Sequence, residues 1–292
     1  MKITHPYENL NGGSWLRGNL HTHTTNSDGN RDMQEVINIY ADLGYQFLSI
    51  SDHDIFTDRT IYDNIDNKGL ILLPGNEISN RGQHLVHVNG DRRIEPHADR
   101  QRVIDDVNST QGFIVVAHPN FTSDFNHCPF DLFQQWTGYV GMEIFNATVG
   151  RCEGSPYATN KWDMLLSEGR RPWGFAHDDA HFMPGNIDVG VGWNVVYSDS
   201  SNVENIVTSL RDGRFYCSTG VVIKTIQVEG TEIIIKCKNA SRIVGITLNG
   251  QRIAWSDSGA IKLDVSELSG YVRFECWGDG ESNAWTQPFI LG

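Results

Sequence analysis

The chain has 292 residues, enough for one large domain or for a domain of about 200 residues joined to a small one. Hydrophobic residues make up 39% and charged residues 20%, the balance of an ordinary soluble fold, and no run approaches the ~18–20 apolar residues of a membrane helix. A net charge of −13 argues against a duplex nucleic-acid partner, because phosphate backbones are bound through Lys and Arg.

The opening segment MKITHPYENLNGGSW lacks the apolar core of a secretory leader and is expected to belong to the folded chain. Five cysteines, widely spaced and without a CxxC pair, suit reduced thiols in a cytoplasmic protein. From the N-terminus to about residue 220, short apolar runs alternate with helical patterns. Strands are expected over 47–51, 70–73, 113–117, 140–145, 173–176 and 191–197. Helices are expected over 32–43, 100–108, 162–167 and 203–210. In the first helix Met33, Val36, Ile37 and Tyr40 share a face, with Gly44 as the stop. Strand–helix alternation of this kind predicts a mostly parallel α/β domain, open or closed into a barrel. After Gly220 the texture changes to short strands over 221–228, 232–237, 243–248, 260–265 and 272–276, with Asn249-Gly250 as a hairpin turn. The expected division is therefore an α/β domain over 1–220 and a small all-β, sandwich-like domain over 221–292, with Tyr216, Cys217 and Ser218 at the junction.

Residues of metal-ligand type recur where the apolar runs end. His21 and His23, two apart in extended chain, point the same way. Asp52-His53-Asp54 follows the 47–51 run, Asn76-Glu77 follows 70–73, and His118 follows 113–117. His177-Asp178-Asp179-Ala180-His181 closes 173–176, while His84 and His87 lie between. In α/β barrels functional side chains gather at strand C-termini, so this recurrence predicts one metal cluster.

In this order GNLHTHTTNSDG, SISDHD, PGNEIS, VVAHPN and DDAH resemble the successive motifs of the PHP (polymerase and histidinol phosphatase) superfamily over residues 18–181. The AWTQP stretch at 284–288 extends the likeness to PHP-like metallohydrolases with a C-terminal β domain. The resemblance implies a distorted (β/α)7 TIM-like barrel. It also implies two or three divalent ions (Zn, Mn or Fe) held by His21, His23, Asp28, His53, Glu77, His87, His118, Asp179 and His181. His21, His23 and Asp179 correspond to the first ion and Glu77 to a bridge. His118 and His87 correspond to the second ion, and Asp28, His53 and His181 to the third. His181, Asp179 and Glu77 are the expected catalytic group.

His84 competes with His87 for its place. His177 is an alternative to His181 or a supporting partner. Asp52 and Asp54 could orient imidazoles or lie on the surface, and Glu143 and Asn146 could be ligands or substrate contacts. His5, His97 and His127 fall outside the motifs and are read as solvent-facing. Arg17 and Arg151 are candidate phosphate contacts, with a surface role favoured for each. Trp255, Trp277 and Trp285 could form a binding platform, although filling the β core is the favoured reading. The expected activity is hydrolysis of a small anionic, phosphorylated substrate, a monoester or a diester. The alternatives are an ester, amide or carbamate hydrolase, or a metal-binding protein without turnover.

Overall fold

The computed structural model describes residues 2–8, 10 and 12–292. The helix Met33–Asp42 forms where the sequence pattern placed it. Asp32 accepts from the Glu35 N–H, the Glu35 side chain accepts from the Asp32 N–H, and Val36, Ile37 and Tyr40 are buried. Asp99 caps Arg100–Asn108 and Asn202 caps Val203–Asp212, which ends on left-handed Gly213. The helix Thr159–Ser167 starts three residues before the expected position.

The strands form a mixed α/β structure. Ser14–Asn19, Phe47–Leu48 and Ile71–Leu72 run parallel, as do Phe113–Val116, Gly141–Asn146 and Trp173–His177. Leu85–Val88, however, pairs antiparallel with both Gly75–Ile78 and Phe113–Val116. The expected closed (β/α)7 barrel is corrected here: these strands fall into two separate sheets, of eleven and five strands. Among the described residues, isolated bridges join them at two seams: Thr22 with Ala180, His53 with Glu77 and Thr57 with Gly75. Closure needs a continuous ladder, and at both seams the chain turns out of extended conformation to present ligand-type side chains; Asp54 and Asp179 there have φ of +54°.

Beyond residue 220 the chain is all strand apart from the Leu248–Gly250 turn, where Asn249 is left-handed and joins two antiparallel strands. Three strands escaped the sequence reading: Gln251–Ser256, Asn283–Thr286 and Phe289–Leu291. The eleven-stranded sheet crosses position 220, since Phe215–Ser218 pairs with Asn283–Thr286. At the same boundary Arg273 forms a bidentate pair with Asp163 (2.7 Å for each bond), and the Tyr271 hydroxyl donates to Asp163 at 2.8 Å. Among the described residues, no helix is long and apolar enough to cross a membrane.

Candidate metal centre

The backbone itself aims the first two histidines. The His23 N–H donates to the Ala180 carbonyl and the Asp179 N–H donates to the His21 carbonyl, both at 2.9 Å. This pairing holds residues 21–23 extended, so His21 and His23 share one direction and Thr22 takes the other. Glu77 stands at the centre, fully buried. Its oxygens lie 3.4 Å from His21 Nε2, 3.7 Å from His23 Nε2, 2.8 Å from His53 Nδ1, 3.0 Å from His84 Nδ1 and 3.2 Å from His118 Nε2. Asp179 Oδ1 lies 3.1 Å from His21 Nε2 and 3.0 Å from His23 Nε2. A second lobe centres on Asp28, 3.4 Å from His181 Nε2, 3.5 Å from His53 Nε2 and 3.7 Å from His23 Nδ1. Asp28 comes back over His23 through a tight turn at Gly29, where a Cβ would sit 2.6 Å from the His23 carbonyl.

These residues fit divalent cations. His21 Nε2, Glu77 Oε2 and His53 Nδ1 are buried in the cluster without a hydrogen-bond partner; the 2.8 Å approach of His53 to Glu77 does not have hydrogen-bond geometry. Buried polar atoms left bare are costly, and a cation would satisfy several at once. Mixed imidazole and carboxylate donors without thiolate suit Zn, Mn or Fe. Ligand atoms of His23, Asp28, His53 and His181 converge, as do those of His21, His23 and Asp179 and those of His21, Glu77 and His118.

Behind the ligands sits a layer of carboxylates. Glu143 Oε1 accepts from His21 Nδ1 (2.6 Å) and His177 Nδ1 (2.8 Å), and its Oε2 accepts from the His118 N–H (2.6 Å) and the Asn146 side chain (2.7 Å). An ionised carboxylate only accepts, so His21 carries its proton on Nδ1 and turns a bare Nε2 inward. Asp52 accepts from the Thr24 N–H, the Thr24 hydroxyl and Ser27, each at 2.7 Å, and so braces the turn that carries Asp28. Asp54 accepts from the Ser79 and Asn80 N–H groups beyond Glu77. Neither touches an imidazole in this way; both act through the loops.

Burial alone would raise the Glu77 carboxyl, but the surrounding imidazoles, His84 and His21 foremost, hold it well below the usual carboxylate range. Asp179 is lowered likewise, burial being outweighed by His21 and His23. Burial lowers His181, yet Asp28 and Asp179 together bring it up to about 9.

The structure brings together eight of the nine expected ligands: His21, His23, Asp28, His53, Glu77, His118, Asp179 and His181. His87 is the exception and is corrected. Glu77 pairs with Val86 and Asn76 with His87, so His87 projects from the opposite face, 3.2 Å from the Asn76 side chain and against Phe56. His84, two residues from Val86, shares the Glu77 face instead. That parity was available in the sequence once the hairpin register was known. His127 is also corrected: its Nε2 accepts from the His84 N–H at 3.1 Å, its ring lies 4.8 Å from His118, and burial pushes it down to about 3. The His5 side chain is 8% exposed and packs on Phe289 rather than facing solvent. Arg17 stacks on Trp193 and Tyr45, and Arg151 donates to the Ile187 carbonyl. Trp285 is buried against Phe145, whereas Trp255 is exposed.

The cluster forms the floor of a cavity of about 360 Å³ whose walls include Phe121, Thr148, Val149, Cys152 and Met183. Three larger depressions, of about 510, 560 and 410 Å³, are more open and contain none of the cluster's ligands.

No family model matches the chain, and no curated protein matches it. Among solved structures, a two-domain protein from Bacteroides vulgatus described as containing a predicted PHP-like metal-dependent phosphoesterase is 15% identical, with 94% of each chain covered and a TM-score of 0.57. An amidohydrolase from Chromobacterium violaceum, solved with sulfate and no metal, is 14% identical over 56% of this chain and 87% of its own, with a TM-score of 0.44. Across both the α/β part and the C-terminal strands, the chain therefore shares the fold of this two-domain protein from Bacteroides vulgatus.

Proposed function

We propose that this chain is a metal-dependent phosphoesterase acting on a small anionic substrate. The observation that carries the reading is Glu77, buried among five imidazoles, three of which (His53, His84 and His118) line one cavity. Two or three divalent ions (Zn, Mn or Fe) are proposed, with His21, His23 and Asp179 for one, Glu77 as bridge, His118 and His84 for the second, and Asp28, His53 and His181 for a third. When bound, such ions act as Lewis acids toward phosphoryl oxygens and make water acidic enough to attack near neutral pH.

The protein's own contribution is orientation and proton handling. His181 Nδ1 donates to the Asp179 carbonyl at 2.8 Å, which leaves Nε2 facing Asp28 and the cavity. With two ions bound and the Asp28–His53–His181 position empty, this nitrogen can deliver a proton to the leaving oxygen as the P–O bond breaks and water adds to phosphorus; with a third ion there, His181 would hold the ion instead. Glu143 keeps His21 in the ligating tautomer. The net charge of −13 and the size of the cavity favour a small substrate over a duplex. Five free thiols are in keeping with a cytoplasmic setting.

A second reading, hydrolysis of a carboxylic or carbamate ester or amide, draws support from the absence of Lys and Arg in the cavity lining. Elemental analysis, with turnover of nitrophenyl phosphates and nitrophenyl acetate by wild type and His23→Ala, separates the two. Two or more metals per chain and phosphate-ester turnover lost in the variant are expected. Turnover of the acetate alone would transfer the assignment to the second reading, and absence of metal would overturn both.

A further inference from the structure

We propose that the cavity selects a phosphodiester monoanion bearing an apolar ester group of about aromatic size over a phosphomonoester dianion; this rests on the phosphoesterase reading. Among the described residues, the lining contains no Lys or Arg. The cations near it are committed elsewhere. Arg100 donates to the Ser79, Asn80 and His97 carbonyls, and Lys161 donates to the Pro119 and Cys128 carbonyls. Arg151 is outside the lining and reaches the Ile187 carbonyl through Nε.

Neutral donors on the wall are committed too. The Thr148 hydroxyl donates to the Asp179 carbonyl at 2.7 Å, and the Asn30 amide donates to the His181 carbonyl at 3.0 Å. What remains is apolar apart from the weakly donating Cys152 thiol: Phe121, Val149 and Met183. The Phe121 ring is fixed edge-on against His118, with centroids 5.4 Å apart. At the rim stands Asp28, a carboxylate whose side chain is 54% exposed.

A monoester brings a second negative charge and a third non-bridging oxygen. Beyond the ligand cluster neither finds a Lys, an Arg or a strong free donor, and Asp28, when it holds no third ion, repels the added charge, so the walls do not compensate their desolvation. A diester replaces that oxygen with an ester group whose apolar body meets Phe121, Val149 and Met183. Orientation by a few polar groups within mostly apolar walls is how small-molecule pockets commonly discriminate.

The test compares kcat/KM for bis(p-nitrophenyl) phosphate and p-nitrophenyl phosphate on the metal-loaded protein. In parallel, calorimetry measures affinity for two inert probes with P–C bonds, the monoanion diphenylphosphinate and the dianion phenylphosphonate. Expected are a diester preference and tighter binding of the phosphinate. Met183→Ala should cut the diester preference roughly tenfold, the scale of discrimination by a few apolar atoms. Met183→Arg should raise monoester turnover by supplying the missing cation. Preference for the dianion in either measurement, or binding of neither probe, would overturn the inference. Tight phosphinate binding without turnover of either phosphate would leave the selectivity standing and remove the phosphoesterase reading instead.

Discussion

Replacing Glu143 with Gln tests whether this carboxylate sets the tautomer of the centre. Glu143 accepts four hydrogen bonds and donates none. Gln keeps the shape, but one of its two ends becomes a donor. If the amide nitrogen faces the imidazoles, His21 must accept through Nδ1, and its proton moves to Nε2, where it points at Glu77 and Asp179 and blocks ligation. If the nitrogen faces the other way, it meets the His118 N–H and the Asn146 amide, both of them donors. Either choice costs about 1–3 kcal/mol for each buried group left unpaired. Loss of an orienting partner behind a metal ligand typically lowers metal affinity 10–100-fold, which corresponds to roughly 1.4–2.8 kcal/mol. The assay is a competitive zinc titration against a chromophoric chelator, with circular dichroism to show that Glu143→Gln is folded. A folded variant that binds zinc within threefold of wild type would refute the tautomer argument.

Three further outcomes follow from the same contacts. Asp163→Ala should lower stability by up to about 3–5 kcal/mol in urea unfolding, because the Arg273 guanidinium, 1% exposed, loses its bidentate partner and keeps only Glu275. His87→Leu should leave metal content unchanged, since His87 lies outside the cluster. It should also flatten the acid limb of the stability curve. Burial lowers the folded His87 to about 4, below the 6.5 of a free imidazole, so its neutral form favours the fold above pH 6.5. That contribution, roughly 3 kcal/mol, is lost as pH falls through the window from about 6.5 to about 4; a variant with the wild-type slope in urea melts from pH 4 to 7 would contradict this. Lys161→Met should release the 119–128 loop that carries Phe121, which Lys161 holds through the Pro119 and Cys128 carbonyls. A rise in KM with metal content retained, read by steady-state kinetics and elemental analysis, is the expected result.

Local signals in the chain settle much of this molecule. The Asp32–Glu35 capping box and the Val36, Ile37, Tyr40 face specify one helix, and Asn249-Gly250 specifies a hairpin, because each depends on residues within a few positions of one another. The extended HxH pair and ligand-type residues at the ends of apolar runs likewise point to a cluster, since strand alternation and strand ends are local properties. Tertiary structure decides what depends on partners distant in sequence. The choice of His84 over His87 turns on the register that sets Glu77 opposite Val86. Glu143 becomes the orienting carboxylate only because its strand lies beside Trp173–His177 and reaches His21, 122 positions away. His127 looks like a loop histidine until the chain folds it against His84 and His118. Barrel closure is of the same kind: strand propensity fixes which segments extend, whereas joining the two sheets by isolated bridges depends on how both seams turn to present Asp54, Glu77 and Asp179.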